Sequence, residues 1–235
     1  MREYNRTAMN PFMSIQSPKA WGPGSMEMAQ SLVEATHIKE GMRVLEVGGG
    51  SGQIATTIAQ YWHATVVTLE PWSDGTEIQT YAKQHNVENQ VLAMKLKAQH
   101  MPFASETFDA IISVGSFEMI GDERPLALAE MIRVAKKGAR IGIAEPMCLP
   151  GAIPADIPDS EIKTSFIECF STLQWNCDLF SNHGLDILES YYYDHAYQWW
   201  EEYRDLGRIS ETEQQFITQD NGRWISLGLV VGEKK

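Results

Sequence analysis

The stretch that decides the fold is Val44-Leu45-Glu46-Val47-Gly48-Gly49-Gly50-Ser51-Gly52. It begins with an apolar segment typical of a buried strand and continues into a run of glycines. The helical spacing of Ile54, Ala55, Ile58 and Ala59 starts directly after it. A glycine loop between a strand and a helix lets the backbone approach a bound nucleotide, because no side chain intervenes. The stretch therefore predicts a nucleotide-binding loop.

The spacing of these glycines differs from that of a dinucleotide-binding loop. The pattern is acidic-x-Gly-x-Gly-x-Gly from Glu46 to Gly52, whereas Gly-x-Gly-x-x-Gly would require a glycine at Gln53. A carboxylate at Glu46 suits a cationic amino acid group better than a pyrophosphate. Glu70 ends the next predicted strand, where its carboxylate can accept hydrogen bonds from both hydroxyls of a ribose.

Apolar segments alternate with helical patterns on both sides of the loop. The predicted strands span residues 43–47, 65–69, 91–96, 110–114 and 140–144. This alternation predicts βαβ units, hence an α/β, doubly wound domain with a largely parallel sheet covered on both faces. We expect Ser25 to cap the first helix, Asp74 to open another, and Pro125 to lie in the first turn of a third.

The pattern changes after Glu145. Residues 146–159 contain four prolines and predict a loop. The elements expected beyond it are one helix over 162–183, a strand over 185–193, helices capped by Asp194 and by Ser210 with Glu213, and a strand over 224–231. We interpret the chain as one domain. Its parts are a covering segment over 1–25, a cofactor-binding core over 26–145, a helical and aromatic lid insertion over 146–224 that shapes the substrate pocket, and a closing strand over 225–235.

The charge and the cysteines limit the possible partners and location. Nineteen basic and 31 acidic residues give a net charge of −12, which disfavours nucleic acid and anionic membranes as partners. The N-terminal residues lack a signal-peptide pattern, and three cysteines without metal-site spacing fit a reducing cytoplasm and indicate no metal. We expect a small-molecule partner, and leave the oligomeric state open, with a homodimer as one option.

Five sequence elements together carry a family resemblance. They are residues 46–52, Glu70, residues 98–103 (Ala-Gln-His-Met-Pro-Phe), residues 108–113, and residues 134–138. In this order they resemble the class I S-adenosylmethionine-dependent methyltransferases of small molecules, over about residues 20–145. The resemblance implies a Rossmann-like, mostly parallel seven-stranded sheet, S-adenosylmethionine as the cofactor, and methyl transfer as the reaction.

The resemblance also implies which residues hold the cofactor. They are Trp21, Glu46, Gly48, Gly49, Gly50, Gly52, Glu70, Pro71, Ala98, Gln99, Ser113 and Ser116. Many relatives have an aspartate where this chain has Lys97, so adenine recognition is expected from Ala98 and Gln99 instead. Trp21 either covers the sulfonium with its aromatic face or packs as a buried residue at a helix entry.

The acceptor side is expected at the carboxyl ends of the fourth and fifth strands, where ligands bind in such sheets. Glu118 and Glu145 are the candidate catalytic residues, as a base or as groups that orient an amine, and each is alternatively a structural acid. The residues expected to line the substrate pocket are Phe117, Cys148, Tyr193, His195 and Trp199. The aromatic residues at 191–200 are more typical of core or lid packing than of a cation cage.

The leading interpretation is methyl transfer to a small molecule, with an amine or thiol preferred over oxygen or carbon. A nicotinamide-dependent oxidoreductase is disfavoured by the glycine spacing. A non-catalytic S-adenosylmethionine-binding sensor or partner subunit is the main alternative. Aminopropyl transfer is disfavoured because only Asp122 accompanies Glu118. Thiol-assisted arsenite methylation is disfavoured because Cys169 and Cys177 are predicted to be core residues on one helix.

Overall fold

A computed structural model describes residues 10–14 and 22–235, so Trp21 and most of the predicted covering segment lie outside the described residues. The strands are β1 Arg43–Val47, β2 Thr65–Leu69, β3 Val91–Met94, β4 Phe108–Val114, β5 Ala135–Cys148, β6 Leu185–Tyr192 and β7 Ile225–Lys234. The α-helices are α1 Ser25–Ala35, α2 Gln53–Trp62, α3 Thr76–Gln84, α4 Arg124–Val134, α5 Glu161–Cys169, α6 Leu173–Asn182, α7 Ala196–Asp205 and α8 Glu211–Asp220. Short 3₁₀ segments occupy Pro11–Ser14 and Glu118–Glu123.

The strands form one sheet in the order β3-β2-β1-β4-β5-β7-β6. Strands β1 to β5 are parallel, and β7 runs antiparallel between β5 and β6. The prediction of an α/β, mostly parallel, seven-stranded sheet is therefore confirmed. Strands β2 and β3 lie on one side of β1, whereas β4 and the later strands lie on its other side. This reversal of strand order opens a crevice at the carboxyl end of β1.

Apolar side chains cover both faces of the sheet. Val44 and Leu45 are consecutive in β1 and fully buried, and they pack into separate core clusters on opposite faces. The cluster of Val44 includes side chains from α1, α2, α3, α7 and α8, and that of Leu45 includes side chains from α4 and α6. Because both faces are covered, the sheet is accessible mainly at the ends of its strands.

The single helix predicted over 162–183 is wrong. Phe170 is extended, and the Thr172 side chain accepts a hydrogen bond from the Trp175 amide, which caps a new helix, α6. Thr172 also forms an isolated bridge with Cys148 at the end of β5. This tertiary contact interrupts the helical pattern and places Cys169 and Cys177 on different helices.

Several predicted helix starts differ by one or two residues. Gly24, with φ of 61°, caps α1 instead of Ser25, whose hydroxyl donates to the Gly22 carbonyl. His195 rather than Asp194 caps α7. Asp74 lies just before α3 and accepts from the Thr76 amide. The remaining two predictions are confirmed: Pro125 lies in the first turn of α4, and Ser210 accepts from the Glu213 amide at 3.1 Å.

The segment predicted as a lid, residues 146–224, is partly built into the sheet. Strand β6 pairs with β7, and α6 packs against both strands. Helix α5 instead packs against the 3₁₀ segment Glu118–Glu123 beyond β4. Helix α5 and the residues that follow it therefore lie near the crevice. In the part of the chain that the structure describes, no helix has the length and apolarity needed to cross a bilayer.

Candidate active site

The glycine loop after β1 depends on conformations and close contacts that favour glycine. Gly48, Gly50 and Gly52 have φ values of 83°, 53° and 88°. A Cβ on Gly48 would lie 2.1 Å from the Ser116 hydroxyl oxygen, and one on Gly52 would lie 2.6 Å from a methyl carbon of Ile78. A Cβ on Gly50 would meet no atom within 4 Å. Gly50 therefore borders open space at the tip of the loop.

Glu70 holds the tip of this loop from the end of β2. Its Oε2 accepts a hydrogen bond from the Gly50 amide at 2.9 Å, and its Oε1 accepts from the Trp72 amide at 3.0 Å. Each carboxylate oxygen has a further lone pair, so Glu70 can also accept hydrogen bonds from ligand hydroxyls. Pro71, between Glu70 and Trp72, is half-buried.

Glu46 is a buried acid beneath the loop. Its Oε2 accepts a hydrogen bond from the Thr68 hydroxyl at 2.6 Å and would lie 3.4 Å from a Cβ on Gly49. The pKa of Glu46 is raised to about 7, mainly by burial and in smaller part by the nearby charge of Glu70, while the Thr68 hydrogen bond opposes the rise. No cationic side chain among the described residues forms an ion pair with Glu46. A bound cation would therefore stabilise its ionised form.

A charged clamp fixes the loop beyond β3. The Glu130 carboxylate accepts from the Met101 amide at 2.9 Å, and Arg133 donates to the carbonyls of Met101 and Phe103 at 2.9 and 2.7 Å. Glu130 and Arg133 are also paired with each other on α4. The clamp thereby positions the preceding turn, which contains Ala98.

Glu118 and Glu145 form a pair of buried acids beyond β4 and β5. Glu145 Oε2 accepts a hydrogen bond from the Glu118 amide at 2.9 Å, and the two carboxyl groups lie within hydrogen-bonding distance of each other. Burial raises the pKa of Glu118 to about 7. Burial and the Glu118 charge raise the pKa of Glu145 well above its usual range. Two such acids cannot readily both ionise, so near neutral pH the pair retains a proton.

The positive charge of Arg124 acts on both acids of this pair. Arg124 is 5% exposed, and its charge opposes the rise in the pKa of both acids. Its Nε donates to the Gly121 carbonyl at 3.0 Å, and its Nη2 donates to the Ser171 hydroxyl at 3.1 Å. Gly121 adopts a φ of 64°, which kinks the 3₁₀ segment just before α4.

The central part of the chain is similar to known methyltransferases. Residues 45–143 match the family model of the methyltransferase domain. Methyltransferase GfsG of Streptomyces halstedii is 28% identical over 172 residues, which cover 69% of this chain and 59% of GfsG. These matches support a class I S-adenosylmethionine-dependent methyltransferase domain in this chain. The chain spans less than two thirds of the length of the first curated relatives of this family that it matches.

Several solved structures share the fold of this chain. Geranyl diphosphate methyltransferase in complex with S-adenosylmethionine superposes with a TM-score of 0.76 at 16% identity, covering 89% of this chain and 85% of that one. The [4+2]-cyclase SpnF superposes with a TM-score of 0.76 at 15% identity, covering 94% and 85%. At these identities the likeness concerns the fold.

S-adenosylmethionine is the cofactor of this methyltransferase family, and the residues present fit it. The backbone of the glycine loop faces open space at Gly50, where a cofactor needs close approach. Glu46 offers an uncompensated buried carboxylate to a cationic group, and Glu70 offers acceptors to hydroxyls. These groups meet at the carboxyl end of β1, where the strand order reverses.

The two serines at the carboxyl end of β4, Ser113 in the strand and Ser116 after it, differ in their surroundings. Ser113 is fully buried, and its hydroxyl donates to the Val47 carbonyl at 2.8 Å, which links β4 to β1. This bond already uses the Ser113 hydroxyl proton. Ser116 is only half-buried, and its hydroxyl lies 3.4 Å from the Gly48 carbonyl oxygen. Ser116 is therefore the serine that borders the glycine loop.

The residues predicted to line the substrate pocket separate into several places. Cys148 is buried near Arg124, and its thiol lies 3.8 Å from the Phe170 carbonyl oxygen. Phe117 departs from the prediction, because it is fully buried in the core cluster of Leu45. His195 is also outside the buried acid cluster, because it is exposed at the start of α7.

Two further predicted pocket residues belong to an aromatic cluster. The rings of Tyr193 and Trp199 lie 5.1 Å apart, and Trp199 packs closely against Gly24. Both residues are buried in the core on the face covered by α1. Tyr193 and Trp199 thus pack in the core, and their place in a substrate pocket stays a prediction.

Arg124 and the clamp of Glu130 and Arg133 were not predicted from the sequence. The three-residue spacing of Glu130 and Arg133 on a predicted helix was the only local signal for an ion pair. Arg124 gave no local signal, since its contacts to Ser171 and Trp175 join segments far apart in the chain.

Proposed function

We propose that this chain transfers the methyl group of S-adenosylmethionine to a small organic acceptor and releases S-adenosylhomocysteine. The observation that carries the proposal is the proximity of two sites along one short segment. Ser116 borders the glycine loop at Gly48, and Glu118, two residues later, begins the buried acid pair. A cofactor on the loop would therefore lie beside a group able to accept a proton.

Each cofactor-side residue would have a distinct role. Glu70 would accept the ribose hydroxyls while keeping its bond to the Gly50 amide. Glu46 would balance the positive charge of the cofactor. The turn containing Ala98 and Gln99, steadied by the clamp, would contact the adenine. When bound, the cofactor supplies an electrophilic methyl group, and the fixed surroundings hold it in line with the acceptor.

The acid pair favours an amine or a thiol as acceptor. The pKa of Glu118 is raised to about 7, so near neutral pH its carboxylate can take the proton of an ammonium or a thiol. An aliphatic hydroxyl is a far weaker acid and would need a stronger base. We assign the role of base to Glu118, because it lies two residues after Ser116, which borders the glycine loop. Glu145 would keep Glu118 oriented through its hydrogen bond with the Glu118 amide.

Charge and cysteine content support a small acceptor and a cytoplasmic location. A net charge of −12 opposes binding to nucleic acid or an anionic membrane. All three cysteines are free thiols, which suits a reducing compartment.

The alternative is a protein that binds S-adenosylmethionine without transferring its methyl group. It merits a test because the same fold occurs in a protein described as a [4+2]-cyclase. In this alternative the acid pair accepts no proton during a reaction. Substituting Glu118 or Glu145 would then leave cofactor binding, the only function, unchanged.

The proposal is tested first by melting the purified protein with S-adenosylmethionine, S-adenosylhomocysteine, decarboxylated S-adenosylmethionine or NAD. A specific rise in melting temperature with the first two is expected. Release of S-adenosylhomocysteine is then measured with a panel of amines and thiols, for wild type, E118Q and the exposed control E88Q. Turnover by wild type and E88Q, with a large loss in E118Q, is expected. Stabilisation without turnover of any acceptor would favour the non-catalytic alternative.

A further inference from the structure

The guanidinium of Arg124 is fixed on three sides and unpartnered on the fourth. Nε bonds to the Gly121 carbonyl, Nη2 bonds to the Ser171 hydroxyl, and the guanidinium carbon lies 4.2 Å from the centroid of the Trp175 ring. The remaining nitrogen, Nη1, is buried and has no hydrogen-bond partner among the described residues. Arg124 is therefore preorganised to donate to one further group.

No carboxylate within the described ranges forms an ion pair with Arg124. The charge of Arg124 nevertheless opposes the rise in the pKa of both Glu118 and Glu145. Glu118 Oε2 and Glu145 Oε1 are buried and accept no hydrogen bond from a donor among the described residues, although the two carboxyl groups can share a proton with each other. One buried cluster thus contains an unused cationic donor beside a pair of carboxyl groups with no other donor. Buried polar atoms normally have partners, so this set indicates a missing polar ligand.

We propose that this cluster binds an acceptor that carries a carboxylate close to its reacting amine, such as a small amino acid or its N-methyl derivative. Arg124 Nη1 would donate to the carboxylate, and the oxygens of Glu118 and Glu145 would receive the amine. The proposal rests on the proposed methyl transfer and specifies its substrate class. Neither a neutral amine nor a thiol would use both Arg124 Nη1 and the two carboxyl groups.

The transfer step is balanced with these groups alone. The amine lone pair forms a bond to the methyl carbon of the cofactor as the carbon–sulfur bond breaks, and that electron pair stays on sulfur to give the thioether. The amine proton passes to Glu118, whose carboxyl pair with Glu145 can hold it. Arg124 takes no part in bond making, so it is a binding residue whose loss should raise KM more than it lowers kcat.

The surrounding residues make Ser171 a second test of the site. Ser171 directly precedes the Thr172 cap of α6, and its hydroxyl accepts one of the two hydrogen bonds that fix Arg124. Removing this hydroxyl should leave the cation in place but less well oriented. Ser171→Ala should therefore weaken carboxylate binding less than Arg124→Met does.

The experiment compares amines that differ only in charge at the carboxyl position: glycine with glycinamide, and sarcosine with sarcosinamide. Release of S-adenosylhomocysteine is measured for wild type, R124M, R124K, S171A and the exposed control R223M. In parallel, N,N-dimethylglycine and its amide are titrated against each protein saturated with S-adenosylhomocysteine, with melting temperature as the readout. We expect at least one carboxylate to be preferred by wild type and R223M by about tenfold or more. R124M should abolish this preference through KM, R124K should restore it in part, and S171A should lie between.

The proposal is overturned if no carboxylate is preferred over its amide in turnover or in melting, or if R124M keeps the preference. If R124M does not fold, S171A decides, because an unchanged preference in that variant contradicts the assigned role. Failure of the proposed function gives a different result: no melting shift with S-adenosylmethionine or S-adenosylhomocysteine, and no turnover of any amine.

Discussion

The amide of Gly50 donates a 2.9 Å hydrogen bond to Glu70 Oε2, which ties the tip of the glycine loop after β1 to the end of β2. The acid expected to bind the ribose therefore also shapes the loop beside it. Because one carboxylate has both tasks, its removal should affect cofactor affinity through direct and indirect contacts.

Glu70→Ala should weaken the binding of S-adenosylhomocysteine by about 1.5–3 kcal/mol, the range for hydrogen bonds to a charged group. Calorimetric titration of the purified variant measures this change. Glu70→Gln keeps an acceptor oxygen for the Gly50 amide and should lose less. The exposed E88Q variant should bind as wild type does, and unchanged affinity in Glu70→Ala would remove Glu70 from the cofactor site.

Gly50 and Gly52 should respond differently to substitution, although both have positive φ values. A side chain on Gly50 enters open space, so Gly50→Val should fold with a modest loss of stability and lose cofactor binding. A Cβ on Gly52 would lie 3.0 Å from the backbone Cα of Ile78, so Gly52→Ala should destabilise the fold itself. Thermal melting with and without S-adenosylhomocysteine separates the two effects. Normal cofactor affinity in Gly50→Val would contradict the loop assignment.

The cofactor half of the molecule was predictable because its signals are local. The strand, the glycine loop and the helix at residues 43–62 follow one another directly, and each has its own pattern. Glu118 and Glu145 were predictable as candidates because parallel strands bring their carboxyl ends to one edge. Their shared proton was not, since it depends on the burial of both carboxyl groups.

The acceptor half was less predictable because tertiary contacts override local patterns there. The apolar spacing over 162–183 is helical throughout, yet the bridge between Thr172 and Cys148 interrupts it. Phe117 was expected to line the acceptor pocket, but the turn after β4 directs its ring into the core. The position of the Arg124 side chain could not be predicted, because it depends on the stacking of Trp175 from α6 on its guanidinium.

The clamp on the loop beyond β3 should tune cofactor affinity without taking part in catalysis. Arg133→Met removes two hydrogen bonds to backbone carbonyls, at Met101 and Phe103, and leaves Glu130 without its ion pair. The turn containing Ala98 should loosen, and the affinity for S-adenosylhomocysteine should fall by about 1 kcal/mol, or roughly fivefold.

Titration calorimetry measures the effect of Arg133→Met, and the pH dependence of kcat provides the second readout. That pH dependence should be unchanged, because the acid pair is not in contact with the clamp. Arg223→Met, which breaks an exposed ion pair with Asp156, is the matched control and should alter neither quantity. A shift of the pH profile in Arg133→Met would show that the clamp acts on the acid pair.

The stability of the cofactor-free protein should fall as the pH rises from about 4.5 to above 7. Glu46, Glu118 and Glu145 all have folded-state pKa values above the ordinary value of 4.5, mainly because of burial. The folded state therefore binds more protons than the unfolded state over this interval. The stability that these protons provide is complete below pH 4.5 and is lost as the pH rises through the folded-state values. Other carboxylates with lowered pKa values, such as Glu130, act mainly below pH 4.5.

Glu145→Gln should remove part of this dependence. A glutamine oxygen can still accept from the Glu118 amide, and its amide group can donate to the Glu118 carboxylate, so the geometry is retained without a second buried charge. At pH 8 the variant should be more stable than wild type, because burial raises the pKa of Glu145 and the wild-type protein must ionise this buried group as the pH rises. At pH 4.5 the two proteins should be nearly equal. Urea unfolding at both pH values measures the difference, with E88Q as the exposed control. A Glu145→Gln variant that is less stable at pH 8 would mean that the pair is ionised and stabilised by Arg124, contrary to the shared proton inferred from its burial.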